Sequence, residues 1–321
     1  MTSAVLAVAV LGSCRSSSVG DATLPSPTTT TTVPRPAGDG TRIAFMTNRE
    51  DPVDFDIWVM GNDGSEAAPL TGDPSTDSAP DWSPDGTLIA FGRVLGRDNP
   101  EIFVMGADGS GVRNLTDDPA PDANASWSPD GRMLAFDRRM PSGEGSIMVM
   151  GADGSGAHAL TGAAGVVDAD PSWSPDGTRL VFERRGADGT ARLFVMNADG
   201  SAPRRVTASD GPAETDPAWS PDGSLIAFSR AGAGGLASIA VVAPDGSGHR
   251  ALTDGTRVDG APAWSPDGRR IAFYRAPANG TGDIWSMAAD GSSPVNLTDS
   301  PAIESLPAWT GGTAVASAAQ G

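Results

Sequence analysis

Beyond residue 40 the chain is built of short apolar runs separated by polar turns. One set of runs is Ile89-Ala90-Phe91, Leu134-Ala135-Phe136, Leu180-Val181-Phe182, Ile226-Ala227-Phe228 and Ile271-Ala272-Phe273. A second set follows each of these: Ile102–Met105, Ile147–Met150, Leu193–Met196, Ile239–Val242 and Ile284–Met287. The runs are short, apolar and bounded by Gly, Pro and Asp, which predicts strands. Between them the turn signals recur. The pentapeptide Trp-Ser-Pro-Asp-Gly starts at Trp82, Trp127, Trp173, Trp219 and Trp264, and a decayed copy starts at Trp309, at spacings of 45, 46, 46, 45 and 45 residues. A second Asp-Gly turn lies at Asp108, Asp153, Asp199, Asp245 and Asp290, and a short strand then ends at Thr116, Thr161, Thr207, Thr253 and Thr298. Four strands per unit at this period predict the antiparallel blades of a β-propeller.

Within Ser-Pro-Asp-Gly, Pro fixes φ for the first turn position and Gly accepts the left-handed one, which predicts a type I turn with a glycine bulge. That three-residue loop would set Ser83 opposite Thr87 and, at constant register, Asp77 opposite Arg93. The ends of the chain complete the pattern. The first unit starts at Asp39-Gly40 with Ile43-Ala44-Phe45 and Ile57–Met60 but has no Trp strand, and the last Trp strand, Leu306–Thr310, has no partners after it. Joined, the halves predict an all-β, six-bladed propeller over residues 39–311, closed by its own termini. An open solenoid would leave both half-blades with free edges.

Composition narrows the function. Gly (41) and Pro (27) are about a fifth of 321 residues, against a mainly helical fold. All 22 basic residues are Arg and the net charge is −18, the wrong balance for a nucleic-acid binder. One Cys excludes a disulfide framework within the chain, and two His leave little for a metal or acid–base site. His158 and His249 are expected as exposed strand residues, and no Gly-x-Ser-x-Gly elbow occurs. No catalytic residue, metal site or cofactor is expected.

The first residues are read as a targeting segment. Ala4–Leu11 is an apolar run too short to span a bilayer, and it leads into Leu11-Gly12-Ser13-Cys14. That resembles a bacterial lipobox, which implies a signal peptide over residues 1–14 and lipidation at Cys14. Residues 15–38, with a run of five Thr from Thr28 and Pro25, Pro27, Pro34 and Pro36, are expected as a disordered tether, and 312–321 as a disordered tail. The expected setting is extracytoplasmic, with the membrane reached only through the lipid anchor.

The combined pattern Pro-x-Trp-Ser-Pro-Asp-Gly, Ile-Ala-Phe, Ile-x-Val-Met, Asp-Gly, Leu-Thr resembles the WD40-like (PD40) repeats of the TolB family propeller. The resemblance implies the fold, and a lipoprotein form in which the Thr/Pro spacer stands where that family has an α/β domain.

Candidate sites follow from two positions that vary in step with the repeat. Five residues before each Trp stands an acid: Asp77, Asp122, Asp168, Glu214, Asp259 and Glu304. Eight residues after the turn Asp, five units carry Arg: Arg93, Arg138, Arg184, Arg230 and Arg275. Either these form cross-strand ion pairs, or the acids form a circle at the channel mouth that takes a metal ion or cationic group. Thr47 stands opposite Glu304, so Glu304 is expected to be the least compensated acid. The repeated turns share one face, while the other carries loops that differ between units, such as Arg49, Glu50, Asp51, Asp54 and Asp56 against Ala231–Gly235. Asp117, Asp118 and Asp210 add acid to this variable face. The expectation is a monomeric, non-catalytic scaffold that binds a protein or peptide, cationic in character, through that face. The alternative is a propeller lyase or hydrolase with a carboxylate or metal site at the channel mouth.

Overall fold

The computed structural model describes residues 41–96, 99–207, 211–278 and 280–311. Cys14, the signal peptide, the tether, the Asp39-Gly40 turn, Asp210 and the tail lie outside the described residues. Within them the chain is all-β: 24 strands and a single 3-10 turn at Ala233–Gly235. No helix among the described residues is long and apolar enough to cross a membrane.

One unit shows how the sequence builds a sheet. Asp77–Trp82, Leu88–Leu95, Asn99–Gly106 and Arg113–Asn114 pair antiparallel in that order. In the two middle strands Ile89, Ala90, Phe91, Ile102 and Val104 are buried, because sheets pack on both sides of them. The same plan gives two four-stranded sheets and two eight-stranded ones. Each eight-stranded sheet is two such groups joined by one parallel pair, Gly145 with Val167 or Ala237 with Val258.

The core lies between units rather than inside them. One cluster sets Ala90, Ile102 and Val104 of one unit against Trp127, Leu134, Phe136 and Met150 of the next. Another sets Ala272 and Ile284 near the C-terminus against Ile43, Phe45 and Met60 near the N-terminus, with Trp309 between. The strand Arg42–Thr47 pairs with Glu304–Trp309, Ile43 opposite Trp309 and Thr47 opposite Glu304. The Trp-bearing strands neighbour one another in succession from Asp77–Trp82 to Glu304–Trp309, and the last neighbours the first.

The pentapeptide turn differs from its expected form. Trp82 pairs with Ile89, and Ser83 N donates to Leu88 O (2.9 Å), so the loop holds four residues, not three. Ser83 causes the widening: its hydroxyl donates to Asp85 (2.7 Å) and accepts from Leu88 N (2.9 Å). Register is then shifted by one until a bulge between Ser78 and Asp81, where Ala79 adopts φ 47°. Beyond the bulge Asp77 faces Arg93.

The second Asp-Gly turn has a packing role that its sequence does not announce. Gly109, at φ +81°, lies so close to the preceding unit that a Cβ there would stand 2.6 Å from Leu70 O. Gly64 makes the same approach to Leu297, at the junction of first and last units.

Candidate functional site

Each acid–Arg position lies where the first two strands of a unit begin and end, away from the pentapeptide turn. Register sets all five Arg opposite their acids: Asp77 and Arg93, Asp122 and Arg138, Asp168 and Arg184, Glu214 and Arg230, Asp259 and Arg275. Four of these pairs are bidentate. Arg138 Nε and Nη2 donate to Asp122 Oδ1 and Oδ2, both at 2.7 Å. Arg93 holds Asp77 at 2.7 Å by both nitrogens, Arg184 holds Asp168 at 2.6 and 2.7 Å, and Arg275 holds Asp259 at 2.7 and 2.9 Å. The four carboxylates are fully buried.

Aromatic residues of the second and third strands seat the guanidinium groups of Arg93, Arg184 and Arg275, and Phe136 alone seats that of Arg138. Arg93 lies 5.3 Å from the ring centres of both Phe91 and Phe103, and Arg275 lies 4.9 Å from Phe273 and 5.1 Å from Trp285. Burial raises the Asp77 carboxyl to about 6 even though Arg93 pulls it down. Removing one partner of a pair buried and bonded in this way would leave the other charge uncompensated in the interior.

Glu304 departs from the expectation of least compensation: Arg49 reaches it and forms the ion pair. Arg49 lies two residues beyond Thr47 and so returns to the same side of the chain. Its guanidinium lies over Trp58 (5.2 Å) and Phe45 (5.6 Å), as the other paired arginines lie over their aromatic neighbours. Glu214 is the exception. Its carboxylate accepts from the Thr207 hydroxyl, and Arg230 faces it in register without an ion pair.

The variable loop beside the first strand divides in two. Arg49 is committed to Glu304, and Asp56 is buried, accepting from the Thr71 hydroxyl at 3.1 Å, with burial pushing its carboxyl to about 6. Glu50 and Asp51 are exposed, and Asp54 is half-buried, accepting from Thr76 at 2.9 Å. Asp117 is exposed, and Asp118 binds Arg138 at 2.7 Å.

A second set of acids was not foreseen. Asp170 and Asp216 occupy left-handed bulge positions of their first strands (φ 51° and 52°), and Asp137 and Glu183 directly follow the buried Phe136 and Phe182. Burial and the neighbouring carboxylates Glu183, Asp137 and Asp216 hold Asp170 well above the usual carboxylate range. Burial first, then Asp216, pushes Glu183 to about 8, against the pull of Arg185, which lies 3.2 Å away. The available signal was an acid in place of the apolar residue expected after Phe in a buried strand.

Among the described residues no group of three or more His, Cys, Asp or Glu is arranged to hold a metal ion. His158 and His249 are both exposed; His158 is bonded to Gly156 O (2.9 Å), and the ring centres of His249 and Phe228 lie 5.6 Å apart.

The TolB beta propeller domain model matches residues 138–313, more than half of the chain. The chain belongs to that family. TolB from Acinetobacter baumannii is similar in structure, at 22% identity and TM-score 0.74, over 85% of this chain and 67% of that one. A TolB described as putative from Agrobacterium tumefaciens gives 20% identity and TM-score 0.65, over 83% of this chain and 96% of that one. An oligogalacturonate lyase from Vibrio parahaemolyticus gives 14% identity and TM-score 0.53, over 79% and 71%. At these identities the likeness is one of fold. Among curated proteins, none matches the chain.

Proposed function

We propose that this TolB-family chain is a non-catalytic, extracytoplasmic binding scaffold. It is a monomeric six-bladed propeller closed by its terminal half-blades, tethered to a membrane through lipid on Cys14. Six inter-sheet clusters, the pairing of Arg42–Thr47 with Glu304–Trp309 and the Gly64–Leu297 contact support the closure. The partner is a protein or peptide with cationic groups, met by the variable loops.

The observation that carries the reading is the internal satisfaction of the acid circle. Asp77, Asp122, Asp168 and Asp259 are bonded to Arg93, Arg138, Arg184 and Arg275, and Glu304 to Arg49. A circle so committed is scaffold. Glu214 alone of the six lacks an Arg ion pair. The charge left for a partner lies in Glu50, Asp51 and Asp117. Such charges steer association and set partner choice.

The test is capture from membrane extract by the wild-type protein and by Glu50→Lys/Asp51→Lys. Loss of a captured protein on reversal supports the reading, and an unchanged set of partners removes this loop from it.

A further inference from the structure

In two units the ring arginine is held by two carboxylates at once: Arg93 by Asp77 (2.7 Å) and Asp73 (2.6 Å), Arg138 by Asp122 and Asp118 (both 2.7 Å). Arg184 and Arg275 are held by Asp168 and Asp259. Arg230 is held by none. Among the described residues its side chain forms no hydrogen bond or ion pair, and its Nε is buried without a partner.

Three local substitutions produce the opening. Glu stands where four of the other five units have Asp, and the longer side chain of Glu214 turns to Thr207. Ala240 faces Phe228 where Phe103 or Trp285 gives other units a second aromatic seat, and His249 takes the space on Phe228. The loop after Arg230 is Ala231-Gly232-Ala233-Gly234-Gly235, with no side chain larger than methyl to cover the half-buried guanidinium. The guanidinium groups acting on Glu214 are those of Arg192 and Arg230.

We infer that Arg230 is a binding site for a carboxylate group of a ligand. The sister units display the bonding such a group takes: Nε and Nη2 to its two oxygens, as Arg138 holds Asp122 at 2.7 Å by both. The inference goes beyond the cation-facing reading of the loops and does not depend on it, since the site selects the opposite charge. A partner carboxylate comes from an acidic side chain or a peptide C-terminus. The competing occupant is Asp210, four residues before Glu214 as Asp118 is before Asp122, which lies outside the described residues.

The experiment follows arginine Nε–Hε resonances of the full chain, titrated with sodium acetate against sodium chloride at matched ionic strength. One resonance, absent in Arg230→Gln or, should that variant misfold, in Arg230→Lys, is expected to shift saturably with acetate alone. Those of Arg93, Arg138, Arg184 and Arg275 stay in place, and Glu214→Gln tightens acetate binding several-fold. A C-terminally free tripeptide without acids and an amidated peptide with one Glu then separate the two sources. No acetate response at Arg230 overturns the inference. So does a response that appears only in Asp210→Asn, because the chain's own carboxylate then fills the fork.

Discussion

Arg49 and Glu304 form an ion pair across 255 residues of sequence, between the first described strand's end and the start of the last strand. Thr47 occupies the position that Arg fills in other units, and its hydroxyl and Glu304 Oε2 are both buried without a partner. Arg49 therefore carries the whole compensation of a fully buried carboxylate. Arg49→Gln is expected to lower stability by ~3–5 kcal/mol, because the charge of Glu304 stays behind. The double variant Arg49→Gln/Glu304→Gln should recover most of that loss, as read by chemical denaturation.

The acid–Arg positions differ in what a substitution should cost. Arg138→Gln abandons the buried Asp122 and is expected to cost ~3 kcal/mol or more. Arg230→Gln removes no ion pair and should change stability by less than ~1 kcal/mol. Equal losses at the two positions would contradict the open arrangement at Glu214.

Stability should fall as pH rises from about 4 to about 8. Asp170, Glu183 and Asp137 bind protons more tightly folded than unfolded, through burial first and then through nearby carboxylates that include Asp216 and Asp122, with Arg185 and Arg139 the opposing cations. Their contribution is present below the unfolded carboxylate value and is lost as pH climbs towards the Glu183 value of about 8. Turn aspartates such as Asp85 and Asp222, held low by serine hydroxyls, act oppositely and weaken the fold as pH drops below 3.8. Glu183→Gln should flatten the upper slope in denaturation midpoints measured across pH.

Gly109→Ala is expected to cost more than ~2 kcal/mol, since its Cβ would meet the Leu70 carbonyl and φ is +81°. Gly86→Ala keeps open space around its Cβ and pays for φ +68° alone, about 1 kcal/mol. Thermal midpoints of the two variants check the difference.

How far the sequence could be read depends on where each side chain's partner lies. The pairing of Asp77 with Arg93 was legible because both belong to one hairpin. It came out although the loop is a residue longer than expected, since the bulge at Ala79 restores the register. The repeat alone did not assign Arg49 to Glu304, because Arg49 sits outside the repeat position and acts from two residues away. Nor did the repeat reveal the surroundings of Arg230, where Ala240 and His249 lie against Phe228. The acids at Asp137, Asp170, Glu183 and Asp216 come together only when neighbouring units pack, which no single repeat reveals.

The most direct test of the scaffold reading is the affinity of a captured partner for two charge reversals on opposite faces. Glu50→Lys/Asp51→Lys alters the variable face, and Asp108→Lys/Asp153→Lys alters exposed turns on the repeated face. The account predicts that the first weakens binding at least tenfold and lowers its salt dependence while the second leaves both near wild type. Equal affinity for both variants, or loss confined to the repeated face, would contradict it.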